Sequence, residues 1–381
     1  MKILFLTYHG FENASGISKK MLAQIKGLRQ NGHEVHVCTY DVEPDGEKCR
    51  YVDGQIIQRY GKGSLAAIRQ RMGYGCIADY CIHNGIQLVY ARHYMNASPW
   101  LVSLFRRLKK AGIKSVMEIP TYPYDQEFDG FSFTQRMKLH VDQLYRHSLA
   151  KQTDGIVTFS DENTIFGQRT IRISNGVDLD SIPVHGSTYV SGSELHLIAV
   201  AEVHSWHGFD RLIYGLGEYY LKYAGNPSPK VYFHLVGDVW PAEMNGSSQS
   251  PGMAPYIEKY KISDYVIFHG KLFGNALDKV FDSCHFAIGS LGRHRSGITF
   301  IKTLKNREYA SRGIPFIYSE CDSDFDNQPY VIKAPADETP INVEQIIAFM
   351  DSFSMKSVDI RTTVERMSWK YQMQQVLDKL Q

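Results

Sequence analysis

The heptapeptide SWHGFDR (Ser205–Arg211) follows an apolar run, LHLIAVAEV, and precedes a segment with helical spacing, so His207 and Gly208 fall where a strand turns into a helix. Free backbone N–H groups and the helix dipole attract an anion at such a junction. Gly208 lets the backbone approach a ligand closely, and His207 adds a donor or a positive charge. A helix cap beside a packed Trp206 accounts for the same residues without a ligand. A second junction is SLGRHRSGITFIKTLKNREYASRGIP (Ser290–Pro315). Thr299 suits an N-cap and Gly313 a C′ position, with Pro315 just beyond, which predicts one helix over 300–312. Phe300, Leu304 and Glu308 recur at every fourth position, so Glu308 is expected on the apolar face, where an acid is unusual. A carboxylate there can accept hydrogen bonds from the vicinal hydroxyls of a ribose, while the helix start receives a diphosphate. Lys305 and Arg312, three and four residues away, are its alternative partners.

In the first half, HGFENASGIS leads from the opening strand into a helix with Gly16 at the turn; it is not G-x-G-x-x-G, and no acid follows at the spacing a dinucleotide requires. Asp178-Leu-Asp180 and Asp322-Ser-Asp324 have the D-x-D form but read as solvated loops. No metal-ligand cluster is evident, so neither a metal nor another cofactor is expected. The fifteen histidines are dispersed. PTYPYDQEFDGFSF (120–133) offers aromatic faces to a sugar or a lipid carrier, or else anchors a loop. TQRMKLHVDQLYRHSLAKQ (134–152) mixes basic residues with an apolar stripe and suits a domain helix or a peripheral membrane contact.

A chain of 381 residues suits two domains. Its net charge of +2 gives no reason to expect nucleic acid. Residues 1–180 hold 23 Lys+Arg against 18 Asp+Glu, and the remainder 19 against 22, so the first half is mildly basic. Six cysteines without a C-x-x-C pair suit a reducing compartment. The opening apolar run is too short for a signal peptide and no 18-residue apolar stretch occurs, which points to a soluble cytoplasmic protein. KILFLTY, EVHVCTY, LVYARH, SVMEI, GIVTFS and TIRISNGV alternate with helical patterns, and after the Ser-, Gly- and Pro-rich stretch 181–194 the scheme restarts with LHLIAVAEV, VYFHLVGDV, YVIFHG, FAIGSL and PFIYSE. Such alternation predicts α/β domains with doubly wound parallel sheets over 1–180 and 195–360, joined by a linker. Ligands of these sheets bind at the carboxyl ends of the strands, here expected to face a central cleft.

Together these segments resemble the retaining glycosyltransferase family 4, which has the GT-B fold of two Rossmann-like domains. NASGISKKMLAQIKGLRQNGHEVHVCTY is similar to that family's N-terminal glycine loop, helix and strand, and ISNGVD (Ile173–Asp178) to its segment before the linker. REYASRGIPFI resembles the end of its signature, E-A-x-x-x-G-x-P, with Glu308, Gly313 and Pro315 in register and Tyr309 where Ala is usual. EIPTYPYD, WHGFDR and LGRHRSG are similar to a subgroup of bacterial capsule and exopolysaccharide transferases. The family's first Glu would fall at Phe300, its Arg and Lys after the second domain's first strand at Glu202 and His207, and its acceptor-side His near Glu118.

The resemblance implies metal-independent transfer of a sugar from a nucleotide-sugar donor, UDP favoured, to a glycan or lipid-linked saccharide with retention of configuration. It assigns the donor to Gly16, His207, Gly208, His294, Arg295, Gly297, Ile298, Thr299, Lys305 and Glu308, with Lys305 and Arg295 stabilising the leaving group. The acceptor side would be Arg92, Glu118, Tyr122 and Tyr124. It also implies that residues 361–381 cross back to the first domain. A catalytically degenerate protein that binds glycan or stabilises a partner, and a sugar-nucleotide epimerase, are the competing readings.

Overall fold

Val- and Ile-rich runs form the strands, and the stretches of helical period between them form the helices. The computed structural model describes residues 1–11, 16–93, 95–125, 133–247 and 250–380. The chain divides into two units, Met1–Gly176 with Ser368–Gln381, and Val177–Met367; the stretch 181–194 lies in the second. The first unit runs β1 (Lys2–Leu6), α1 (Gly16–Gln30), β2 (Glu34–Val42), β3 (Lys48–Val52), β4 (Gln55–Gly61), α2 (Gly63–Met72), α3 (Gly75–His83), β5 (Leu88–Arg92), α4 (Pro99–Lys110), β6 (Lys114–Ile119), α5 (Phe133–Ala150), β7 (Gly155–Thr158), β8 (Thr164–Ile165) and β9 (Gln168–Arg172). The second runs β10 (Leu195–Val200), α6 (Phe209–Lys222), β11 (Val231–Val236), α7 (Pro241–Asn245), α8 (Ala254–Tyr260), β12 (Val266–Gly270), α9 (Asn275–Asp282), β13 (Phe286–Ile288), α10 (Leu304–Arg312), β14 (Phe316–Tyr318), β15 (Val331–Lys333), α11 (Val343–Ser352) and α12 (Ser357–Thr363). The closing helix α13 (Trp369–Asp378) returns to the first unit.

The sheet orders are β4-β3-β2-β1-β5-β6-β7-β9-β8 and β12-β11-β10-β13-β14-β15. All pairs of the second sheet are parallel. In the first, β3 and β4 form an antiparallel edge hairpin that the sequence reading passed over. Its turn is Asp53-Gly54, with φ of 51° and 79°, a dipeptide that favours such turns.

The central parallel strands of each sheet are buried on both faces, as such strands require. In β1, Leu4 and Leu6 join one core with Val89, Phe105 and Met117, while Ile3 and Phe5 join the other. That second core takes Met21, Ile25 and Leu28 from α1 and Trp369, Met373 and Leu377 from α13, and leaves Ile17 and Leu22 exposed. A Cβ on Gly176 would lie 2.4 Å from the Trp369 ring, so only glycine lets that indole pack there.

The second unit gathers histidines that are scattered in sequence. His196 Nδ1 lies 2.9 Å from His234 Nε2, and His234 Nδ1 lies 2.9 Å from His269 Nε2, so the imidazoles run across β10, β11 and β12. The His196 backbone N–H donates to His285 Nδ1 at 3.1 Å. Burial, reinforced by the neighbouring rings, holds His234 down to about 4. A base whose folded pKa is depressed takes up protons on unfolding, so its contribution is intact above about pH 6.5 and is lost as pH falls toward 4. Thermal denaturation across that range should show the parent losing stability relative to a His234→Gln variant, by on the order of 3 kcal/mol for a shift of this size. Parallel curves for the two proteins would contradict it.

Candidate functional site

The second sheet changes direction between β10 and β13, since the chain moves outward through β11 and β12 and returns on β10's other side. Ligands of open α/β sheets bind outside the carboxyl ends of the strands at such a point. Here the loops after β10 and β13 pass in contact: the Leu291 and Gly292 amides donate to the His207 and Trp206 carbonyls at 2.8 and 3.1 Å. Gly208 has φ 61°, and a Cβ there would lie 2.6 Å from the Gly292 nitrogen, so glycine is the residue that permits this approach. Gly208 also caps α6, whose Phe209, Leu212, Ile213, Leu216 and Tyr220 are buried as their spacing predicts. The junction places first-turn amides at the switch point.

His207 is buried, and its Nδ1 accepts the His204 backbone N–H at 2.9 Å. An amide can only donate, so the ring proton of the neutral imidazole sits on Nε2, which faces the Lys305 amine. Nε2–H then donates, and Lys305 must receive it as a free amine. Burial, followed by the charge of Arg293, lowers Lys305 to about 7. Burial, then Lys305, holds His207 well below its ordinary value, so it is a neutral donor rather than the positive charge the sequence suggested. Glu320, just beyond β14, is buried, and neither carboxyl oxygen has a partner among the described residues. Burial pushes it up to about 7. Nothing in the sequence around Glu320 signalled this group; it becomes visible only once β14 is placed beside β13.

Arg295, expected to face the leaving group, is committed elsewhere. Its nitrogens reach Asp210 at 2.9 and 2.7 Å and Glu338 at 2.9 and 2.5 Å, a clasp between two carboxylates that leaves the guanidinium as scaffold. His294 Nε2 meets the same Glu338 at 2.6 Å. Gly297 adopts the left-handed conformation and is exposed, with Ile298 half-buried and Thr299 exposed beside it. The expected helix over 300–312 begins later, at Leu304, with Thr303 rather than Thr299 as N-cap. Residues 299–301 are instead held extended along Cys321, whose N–H donates to the Thr299 carbonyl at 2.7 Å and whose carbonyl accepts from Ile301 at 3.1 Å.

Glu308 shares its face of α10 with Leu304, which is 40% exposed, so that face is not the apolar one expected. The Glu308 carboxylate is 33% exposed and pairs with Arg312 at 3.0 Å. Both Arg312 contacts fall on Oε1, so Oε2 has no partner among the described residues. A second buried acid of this region, besides Glu320, is Asp322, which the sequence reading left in a solvated loop. It grips the fully buried Arg307 of α10, Oδ1 at 2.9 Å, and Asp324 closes the same guanidinium.

In the first unit, Glu118 at the end of β6 is fully buried and accepts Gln24 at 2.6 Å, Tyr90 at 2.5 Å and Arg92 at 2.7 Å, with Lys20 at 3.5 Å. Burial opposes its ionisation, but Lys20 and Arg92 outweigh it and hold the carboxyl below its usual range. Arg92 and Glu118 therefore form one closed network. Tyr124 donates to the buried Asp142 at 2.6 Å and stands 3.3 Å from His93, while Tyr122 packs edge-on against Phe166. The aromatic stretch beyond Asp125 lies outside the described residues as far as Phe131-Ser132. Gly16 opens α1 with nothing near its Cβ position among the described residues, and residues 12–15 before it are also outside them. Sequence reasoning missed Arg50: fully buried, it donates to the Thr7 carbonyl at 3.1 Å, yet Nε and Nη2 lack partners among the described residues. Among the described residues no three His, Cys, Asp or Glu side chains converge as metal ligands, and no helix is long and apolar enough to cross a membrane.

No protein-family model matches the chain, and no curated protein matches it in sequence. Solved structures do match in shape. TarM has a TM-score of 0.58 at 11% identity, covering 100% of this chain and 98% of that one. Trehalose-6-phosphate synthase OtsA has 0.58 at 10%, with coverages of 100% and 98%. The catalytic domain of starch synthase IV from Arabidopsis thaliana, bound to ADP and acarbose, has 0.58 at 12%, again covering 100% and 98%. Two α/β units in tandem, the second sheet all parallel and the first parallel through its centre, matched end to end by these structures, give the chain the GT-B fold of glycosyltransferases.

Proposed function

We propose that the chain is a glycosyltransferase that moves a sugar from a nucleotide-activated donor, UDP favoured over GDP, to a glycan or lipid-linked saccharide with retention of configuration. The observation that carries this reading is the buried Lys305 amine against His207, with the Glu320 carboxyl within electrostatic reach of it, beside two interlocked loops at the switch point of the second sheet. A buried amine and first-turn amides suit a diphosphate, whose charge draws a proton onto Lys305. The acceptor hydroxyl attacks on the face from which the nucleotide departs: the sugar C1–O bond to phosphate breaks, the C1–O bond to the acceptor forms, and the departing phosphate takes the hydroxyl proton. Lys305 stabilises the charge that grows on that phosphate. The starch synthase IV structure holds ADP, which supports a nucleoside diphosphate as the leaving group. No metal or other cofactor enters this scheme.

Glu308 receives the ribose through Oε2. Glu308→Gln should weaken UDP binding roughly tenfold, the loss of one charge-assisted hydrogen bond, with the melting temperature little changed because glutamine keeps an oxygen for the buried Arg312, which also keeps Asp278 at 2.8 Å. Calorimetry with UDP and a thermal melt check both. Unchanged affinity would return Glu308 to its ion pair with Arg312 alone.

The commitment of Arg295 to Asp210 and Glu338, with Phe300 in place of an acid, favours a second reading, a degenerate transferase that binds glycan without donor. Such a protein would show no affinity for UDP or GDP while retaining its glycan.

A further inference from the structure

Helix α2 buries only Ala66. Leu65, Ile68 and Met72 are 69%, 54% and 45% exposed, and at about 100° per residue they share an arc of roughly 60°. Arg69 lies about 40° beyond one edge of that arc and Arg71 about 60° beyond the other. Both arginines are exposed. From residue 54 to residue 78 the chain carries Arg59, Lys62, Arg69 and Arg71 and no Asp or Glu; across the hairpin, Glu47 pairs with Arg59 and Asp45 with Lys62 at 2.9 Å. Beside the helix is a pocket of about 410 Å³ lined by Arg59, Arg69, Gln58, Tyr60 and Glu47.

An apolar ridge edged on both sides by long cationic side chains matches the cross-section of a lipid interface, where guanidinium groups reach phosphates and the apolar tips enter the acyl region. A ten-residue helix about 15 Å long offers far less than the about 800 Å² per partner of a stable protein interface. We propose that α2 docks the first unit onto a membrane surface rich in anionic lipid, with Leu65, Ile68 and Met72 inserted, Arg71 on headgroup phosphates, and Arg69 with Arg59 placing one headgroup in the adjoining pocket. The sequence had offered 134–152 as a domain helix or such a contact; the face on α2 is separate from it. Docking needs no sugar donor, so it stands or falls apart from the transfer reaction.

Co-sedimentation of the full chain with phosphatidylcholine vesicles, with and without about a third of phosphatidylglycerol, tests this. The parent should bind the anionic vesicles, lose that binding in high salt, and ignore phosphatidylcholine alone. Arg69→Gln and Arg71→Gln should each weaken binding roughly fivefold, and Leu65→Ser with Ile68→Ser at least tenfold, with melting temperatures unchanged. Equal binding to both vesicles, no binding to either, or full binding by the Leu65→Ser/Ile68→Ser protein would overturn the proposal. So would a concentration-dependent dimer abolished by that double substitution, which would make the face a contact between copies.

Discussion

Lys305→Met is expected to lower kcat by roughly 10²–10³-fold, the usual cost of removing one preorganised group that stabilises transition-state charge, about 3–4 kcal/mol. Methionine keeps the length and apolar stem of the side chain and removes only the amine. The fold should not suffer. A lysine whose pKa drops from 10.5 to about 7 on folding binds fewer protons folded than unfolded between those values, so at neutral pH it detracts from stability. The variant should therefore melt at or above the parent's temperature, which separates lost chemistry from lost structure. In the parent, kcat/KM should decline as pH rises through about 7, because the free protein must acquire a proton with the diphosphate. Calorimetric titration of UDP at pH 8 in buffers of different ionisation enthalpy should show proton uptake in the parent and none in Lys305→Met. Full activity in the variant would remove Lys305 from the reaction.

Arg307→Leu is expected to destabilise the second unit by about 3–5 kcal/mol, because it leaves Asp322 buried without its cation. The guanidinium also donates to the Thr303 carbonyl at 3.0 Å and lies 5.0 Å from the centre of the Phe325 ring. It thus ties the start of α10, which bears Lys305, to the segment after β14, which bears Glu320. Denaturant unfolding measures the loss, and adding Asp322→Asn should recover part of it by removing the stranded charge. A loss below about 1 kcal/mol would mean that water reaches Asp322.

The central strands of both sheets and the strand-to-helix junction at His207-Gly208 were legible in sequence, because β-rich apolar runs and a glycine at a turn report local structure directly, whereas β3, β4, β8 and β15 were not. The start of α10 was not. Thr299 and Thr303 are both good caps, and the choice between them rests on Cys321, distant in sequence, which holds 299–301 extended. Phe300 therefore never joins the face of Leu304 and Glu308, which is left exposed beside Arg312. Charge alone likewise suggested that Arg295 and Lys305 were equivalent cations; only tertiary placement gives one two carboxylates and the other a neutral imidazole. The histidine row and the Glu320 carboxyl depend on strand order, which has no local signature.

The most direct test of the central claim is release of nucleoside diphosphate from a panel of UDP- and GDP-sugars, with saccharide and lipid-linked acceptors supplied, by the purified parent and by Lys305→Met. The account predicts that the parent releases UDP from at least one donor while a glycosylated product accumulates, and that the variant's rate falls roughly 10²–10³-fold. It would be contradicted by a parent that binds neither UDP nor GDP and releases no diphosphate from any donor, or by a variant that transfers at the parent's rate.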